Sequence, residues 1–132
     1  MKVTKENLAD SSLDEAERYL ANAREILQTK AGNGVPGYYA DAKYVKMACN
    51  TAWNGVLVAL DSKIPLPSRG NRKTVDFYKQ YLTTKSRKVL NDFISAYNYL
   101  HLFSGYDGDV NRKTAQTGLE LAESILDWCR RN

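Results

Sequence analysis

The chain has 132 residues, 43% hydrophobic and 26% charged, with 3 prolines and 8 glycines. That is the size of one domain, 1–132, with enough apolar material for a core and few breakers of long helices. Its net charge of +4 is modest, two cysteines are too few for a disulfide framework, and no apolar run reaches the roughly 20 residues that cross a bilayer. With no basic start followed by an apolar segment, the expected location is cytoplasmic.

The first helix is expected over residues 12–31. Ser12 and Glu15 have capping-box spacing, and Asp14, Glu15 and Glu17 suit the positive end of the helix. Leu13, Ala16, Leu20, Ala23 and Leu27 recur at intervals of three and four, giving one apolar stripe, and Gly32 ends it. A turn over 32–37 follows, then a second helix from about Tyr38 to Asp61. Its apolar positions cover more than half its circumference, which makes it the expected centre of the fold. Asn50 and Asn54 fall on its polar strip and read as solvent-facing.

The prolines of Ile64-Pro65-Leu66-Pro67 break the chain before a basic loop. Thr74 is placed to cap a short helix through Leu82, and another helix runs from about Lys85 to Phe103 on a stripe of Leu90, Phe93, Tyr97 and Leu100; the two segments could also form one kinked helix. Gly105 to Asp109 is a turn. Asp109 or Asn111 caps a last helix, with Ala115, Leu119, Ala122, Ile125 or Leu126, and Cys129 facing inward. Short connections between helices of similar length predict an all-α, antiparallel up-and-down bundle of four long helices and one short.

Chemistry-bearing constellations are scarce. Cys49 and Cys129 lie on apolar helix positions and read as small hydrophobes, and one histidine, His101, cannot supply a metal site alone. Asp107, Asp109 and Asn111 begin like a calcium loop, but Arg112 replaces the turn glycine and Gly118 stands where the bidentate glutamate belongs. No metal or cofactor is expected, and no nucleophile elbow, phosphate loop or dinucleotide fingerprint is present. His101 reads first as a partly buried histidine hydrogen bonded to a neighbour; with Tyr106, Asp107 and Asp109 it forms the one candidate polar site.

Lys63 to Lys88 carries +7, leaving −3 for the rest of the chain. Arg69, Arg72, Lys73, Lys85, Arg87 and Lys88 are therefore candidate anion-binding residues, although such runs are commonly a solvated face. Of nine tyrosines, eight cluster at Tyr38, Tyr39 and Tyr44, at Tyr78 and Tyr81, and at Tyr97, Tyr99 and Tyr106, and they suit bundle edges and protein interfaces.

The stretches Ala16 to Leu27, Gly37-Tyr38-Tyr39, Lys43 to Ala48, Gly55 to Asp61, Tyr97 to Leu102 and Gly105 to Gly108 together resemble a family of small uncharacterised bacterial proteins built on a domain of unknown function. More distantly, the helix order is similar to the HEPN superfamily, the higher eukaryote and prokaryote nucleotide-binding bundles. That resemblance implies a bundle that dimerises and binds nucleotide or RNA. Active members carry an arginine, a short polar spacer and a histidine near a helix end; here Arg87 lies more than about three turns before His101. The expected function is a non-catalytic helical module that binds another protein or its own copy, with nucleotide or RNA binding through residues 63–88 as the alternative.

Overall fold

The computed structural model describes residues 5–65 and 73–132, with side chains from residue 10 onward. Arg69, Arg72 and the Leu66-Pro67 end of the proline break lie outside the described residues. The described chain is helical: α1 Lys5–Thr29, α2 Ala42–Asp61, α3 Val75–Thr83, α4 Arg87–Ala96, a π-helical segment Tyr97–Ser104 that continues α4 directly, and α5 Arg112–Arg131. Two isolated bridges, Asn33 with Tyr39 and Tyr38 with Asn111, are the only extended pairings among these residues.

Each boundary has a local cause, and the starts of α1 and α2 differ from expectation. α1 begins at Lys5, so Ser12 lies within the helix instead of capping it. Residues 5–11 include Lys, Glu, Leu and Ala, all good helix formers, and a capping motif permits a start without compelling one. α2 begins at Ala42 and not at Tyr38, because the backbones of Tyr38 and Tyr39 are engaged in the bridges and the Asp41 side chain caps the Lys43 amide at 3.0 Å. α3 and α4 are separate helices and not one kinked helix: Thr74 caps the first through Phe77 and Ser86 caps the second through Val89, each at 3.2 Å. Of the two candidates for capping α5, Asn111 does so, accepting from the Lys113 amide at 2.9 Å.

Every residue of the stripe predicted for α1 is buried, as are those predicted for α5, and both cysteines are enclosed. Along α4 and the π-helical segment that continues it, the inward side is shifted: Phe93 and Leu100 are buried, but Val89 and Ala96 join them while Leu90 and Tyr97 are half-buried. α2 touches α1, the π-helical segment and α5, and nine of its residues are buried, which makes it the centre of the core. Gly55 brings α2 against α1, where an added Cβ would lie 3.0 Å from Tyr19 Cβ and 3.1 Å from the Ala16 carbonyl oxygen.

Side-chain pairs set the direction of the helices. Arg130 meets Asp14, and Arg24 meets Glu123, so α1 and α5 run antiparallel. Asn50 reaches Gly105 while Trp53 reaches His101, Tyr97 and Phe93, so α2 runs against the continuous α4 and π-helical segment. No described helix is long and apolar enough to cross a membrane.

Candidate interaction surface

In the π-helical segment the amide of Gly105 bonds to the Leu100 carbonyl at 2.8 Å and that of Asp107 to Leu102 at 2.9 Å, both five residues back. On this segment and the last turns of α4, Phe93, Tyr97 and His101 follow one another at intervals of four and all lie over Trp53, with ring centroids 5.3, 5.5 and 6.0 Å away. His101 is half-buried in this stack, and its Nδ1 is buried with no hydrogen-bond partner. The hydrogen bond expected of a partly buried histidine is thus not made at that nitrogen. Ser104, fully buried near the Cys49 thiol, has no hydrogen-bond partner of good geometry for its hydroxyl. Burial pushes the Cys49 thiol up from about 9.0 to about 11 and the Cys129 thiol to about 12, so both stay protonated near neutrality and are poor nucleophiles.

The turn after the π-helical segment is organised by backbone and caps. Asp109 accepts from the Asn111 amide through Oδ1 and from the Thr114 hydroxyl through Oδ2, both at 2.9 Å, and Asp107 and Tyr106 are exposed. No hydrogen bond joins His101 to Tyr106, Asp107 or Asp109 among the described residues, and no group of three or more His, Cys, Asp or Glu among them could hold a metal. Gly108 has φ +71° and lies flat on α2, where a Cβ would come 2.8 Å from Lys46 Cε and 3.3 Å from Ala42 Cβ.

This turn is tied to the loop before α2. Tyr39 donates its amide to the Val110 carbonyl at 2.8 Å, Arg112 donates to the Gly37 carbonyl at 3.0 Å, and Asn50 Nδ2 donates to the Gly105 carbonyl at 3.0 Å. Asn50 is therefore half-buried and structural, a correction to its expected place on a solvent-facing strip; Asn54 is exposed as expected. Val35, Tyr38, Met47, Phe103 and Tyr106 lie on or next to the segments that these hydrogen bonds tie together. These are the large hydrophobic side chains exposed among the described residues, with Tyr106 76% and Val35 68% accessible. Sequence reasoning found the tyrosines here but not Val35, Met47 or Phe103, whose exposure depends on which way the loop and turn fold.

The described cations of the basic segment are divided. Lys73 is paired with Asp61 at 2.9 Å, and Asp61 also accepts from the Tyr78 hydroxyl at 2.7 Å. Lys88 bonds to Asp92 at 2.7 Å and to the Ser124 hydroxyl at 3.1 Å. Lys85 lies over the Tyr81 ring at 5.5 Å, and Arg87 is exposed at the start of α4.

Two clefts lie along the α1 and α5 seam. The larger, about 400 Å³, is bounded by Glu17, Leu20, Arg24, Glu123, Leu126 and Asp127. The second, about 230 Å³, shares Arg24 and is completed by Leu27, Gln28, Tyr39, Arg112, Gln116 and Leu119. Arg112 stacks on the Tyr39 ring, 4.2 Å from its centroid, and its guanidinium donates to the Asn33 side chain. Burial raises the Tyr39 hydroxyl above its ordinary value, with Arg112 opposing the shift.

No curated protein matches this chain. A solved structure, described as a protein of unknown function from Dyadobacter fermentans, is 46% identical, with a TM-score of 0.88 over 93% of this chain and 97% of that one. The sequence model for a domain of unknown function, DUF5618, matches residues 11–131, and the chain accordingly belongs to that family.

Proposed function

We propose that this chain is a cytoplasmic, non-catalytic interaction module that docks onto a protein, its own copy included, through the end built from the 33–41 loop, the start of α2 and the 103–111 turn. The observation that carries this reading is the exposure of Val35, Tyr38, Met47, Phe103 and Tyr106 on the segments joined there. Exposed aromatic and methionine side chains beside polar neighbours such as Lys43, Lys46 and Asp107 are the composition of an interface centre with a charged rim. The alternating direction of α1, α2, the α4 segment and α5 supports an up-and-down, HEPN-like arrangement, in which self-association would use a two-fold pairing of this end.

The test is Met47→Lys combined with Tyr106→Lys. Sedimentation velocity across a wide concentration range, together with capture of partners from the native cell, is compared with the parent protein. The expected result is loss of dimer, or of the captured partner, with unchanged helical content. A monomer at every concentration whose captured proteins are the same for parent and variant would refute the reading.

A second reading rests on Lys85 and Arg87, which are exposed and have no carboxylate partner among the described residues. Nucleic acid bound there would be released by salt, and Lys85→Gln with Arg87→Gln would flatten the salt dependence of binding to a mixed-sequence single-stranded RNA. Binding that ignores both salt and the substitutions ends this alternative.

A further inference from the structure

The smaller cleft of the α1 and α5 seam lies away from the basic segment and borders the apolar end, sharing the 33–41 loop through Tyr39. Its lining includes two arginines, Arg24 and Arg112, and two glutamines, Gln28 and Gln116, with no carboxylate residue among them. A cleft with that donor set favours an anion. Its floor, Leu27 and Leu119, is apolar, and the Tyr39 ring forms one side.

The two arginines are prepared differently. Arg112 is held in place by its stack on Tyr39 and by its bond to Asn33, and it has no carboxylate partner among the described residues. A planar guanidinium fixed on a ring loses little freedom on binding an oxyanion. Arg24 is paired at 2.6 Å with Glu123, which borders the neighbouring cleft and not this one. Both members of that pair are substantially exposed, 36% and 52%, so the ion pair contributes little and can give way to a competing anion.

We propose that this cleft binds a small molecule carrying one oxyanion, carboxylate or phosphate, on a flat or apolar body. The oxyanion sits between Arg24 and Arg112, and the body lies against Tyr39 and the two leucines. A volume of about 230 Å³ is below the usual range for drug-sized ligands, so the occupant is a small acid or monophosphate and not a dinucleotide.

The probes are phenyl phosphate, benzoate and the uncharged benzamide, titrated by calorimetry into the intact chain with backbone chemical shifts followed in parallel. Saturable binding of at least one anion is expected, with shifts at Tyr39 and Gln116, and benzamide binding weaker by about tenfold or more. The stronger of the two anions identifies the oxyanion. Arg24→Gln and Arg112→Gln should each weaken that anion by about tenfold, and Glu123→Gln, which releases Arg24, should strengthen it severalfold. Should Arg112→Gln fail to fold, Arg24→Gln and Glu123→Gln decide the matter, since both positions are on accessible helix surface. Absence of saturable binding of either anion at millimolar concentration overturns the proposal. So does affinity that is indifferent to both Arg24→Gln and Glu123→Gln.

Discussion

Replacing Asn50 by alanine separates a structural asparagine from its neighbour one turn away, Asn54. Asn50 Nδ2 donates at 3.0 Å to the carbonyl of Gly105, a buried residue at the end of the π-helical segment. Removing the donor leaves that acceptor without a partner, at a cost of about 1–3 kcal/mol. Alanine is the better helix former by roughly 0.5 kcal/mol, so the net loss is about 1–2 kcal/mol. For a chain of this length that lowers Tm by roughly 4–8 °C. Asn54→Ala carries the same propensity gain at an exposed site and should leave Tm unchanged or raise it by about 2 °C. Thermal unfolding followed by far-ultraviolet circular dichroism measures both. Equal shifts for the two variants, or an Asn50→Ala protein as stable as the parent, would refute the role given to Asn50 in holding the turn to α2.

Gly118→Ala should destabilise by up to about 2 kcal/mol in urea unfolding, because its Cβ would lie 2.6 Å from Leu100 Cδ2 in a fully buried position, and overpacking of about 1–3 kcal/mol outweighs the helix gain. Adding Leu100→Val should cost less than the sum of the two single changes, a coupling that a double-mutant cycle reads directly. Ser86→Ala removes the cap of α4 and should cost about 1 kcal/mol, whereas Ser86→Gly costs a few tenths. The thiols set an alkaline limit. Folding raises Cys49 and Cys129 from about 9.0 to about 11 and about 12, so the native state holds these protons more tightly than the unfolded chain. Their contribution is complete below pH 9 and lost as pH rises through 11 to 12. It amounts to about 2–4 kcal/mol per thiol. Unfolding free energy measured from pH 8 to 11.5 should fall steeply, and the slope should shrink in Cys49→Ala with Cys129→Ala; an unchanged slope would contradict the assignment.

The legible part of the fold was the part written in periodicity. The stripe from Leu13 to Leu27 and that from Ala115 to Cys129 are both buried along their length, because a helix presents every third or fourth residue to one side wherever its partner lies. Caps with a local donor and acceptor, Thr74, Ser86 and Asn111, follow equally local rules, although Ser86 carried no prior expectation. The start of α2 was misplaced because Tyr38 and Tyr39 are held extended by strand-like bonds to Val110 and Asn111, some seventy positions away in sequence. The π-helical segment has no proline or internal glycine to announce it, and it forms where Tyr97 and His101 pack together over Trp53.

The candidate sites divide along the same line. Arg112 was noticed only as the residue that spoils a calcium loop, and Arg24 only as one position in a helix, since neither shows its neighbour until α5 lies antiparallel to α1 and Tyr39 is brought beneath the guanidinium. By itself the sequence determined the helical class, the buried stripes and the inert cysteines, because these depend on spacing and residue type within one element. Tertiary structure alone decided which hydrophobic side chains remain exposed, what Asn50 holds and where two arginines share a cleft without a carboxylate. Those outcomes depend on contacts between segments that are distant in the chain, and no local pattern encodes them.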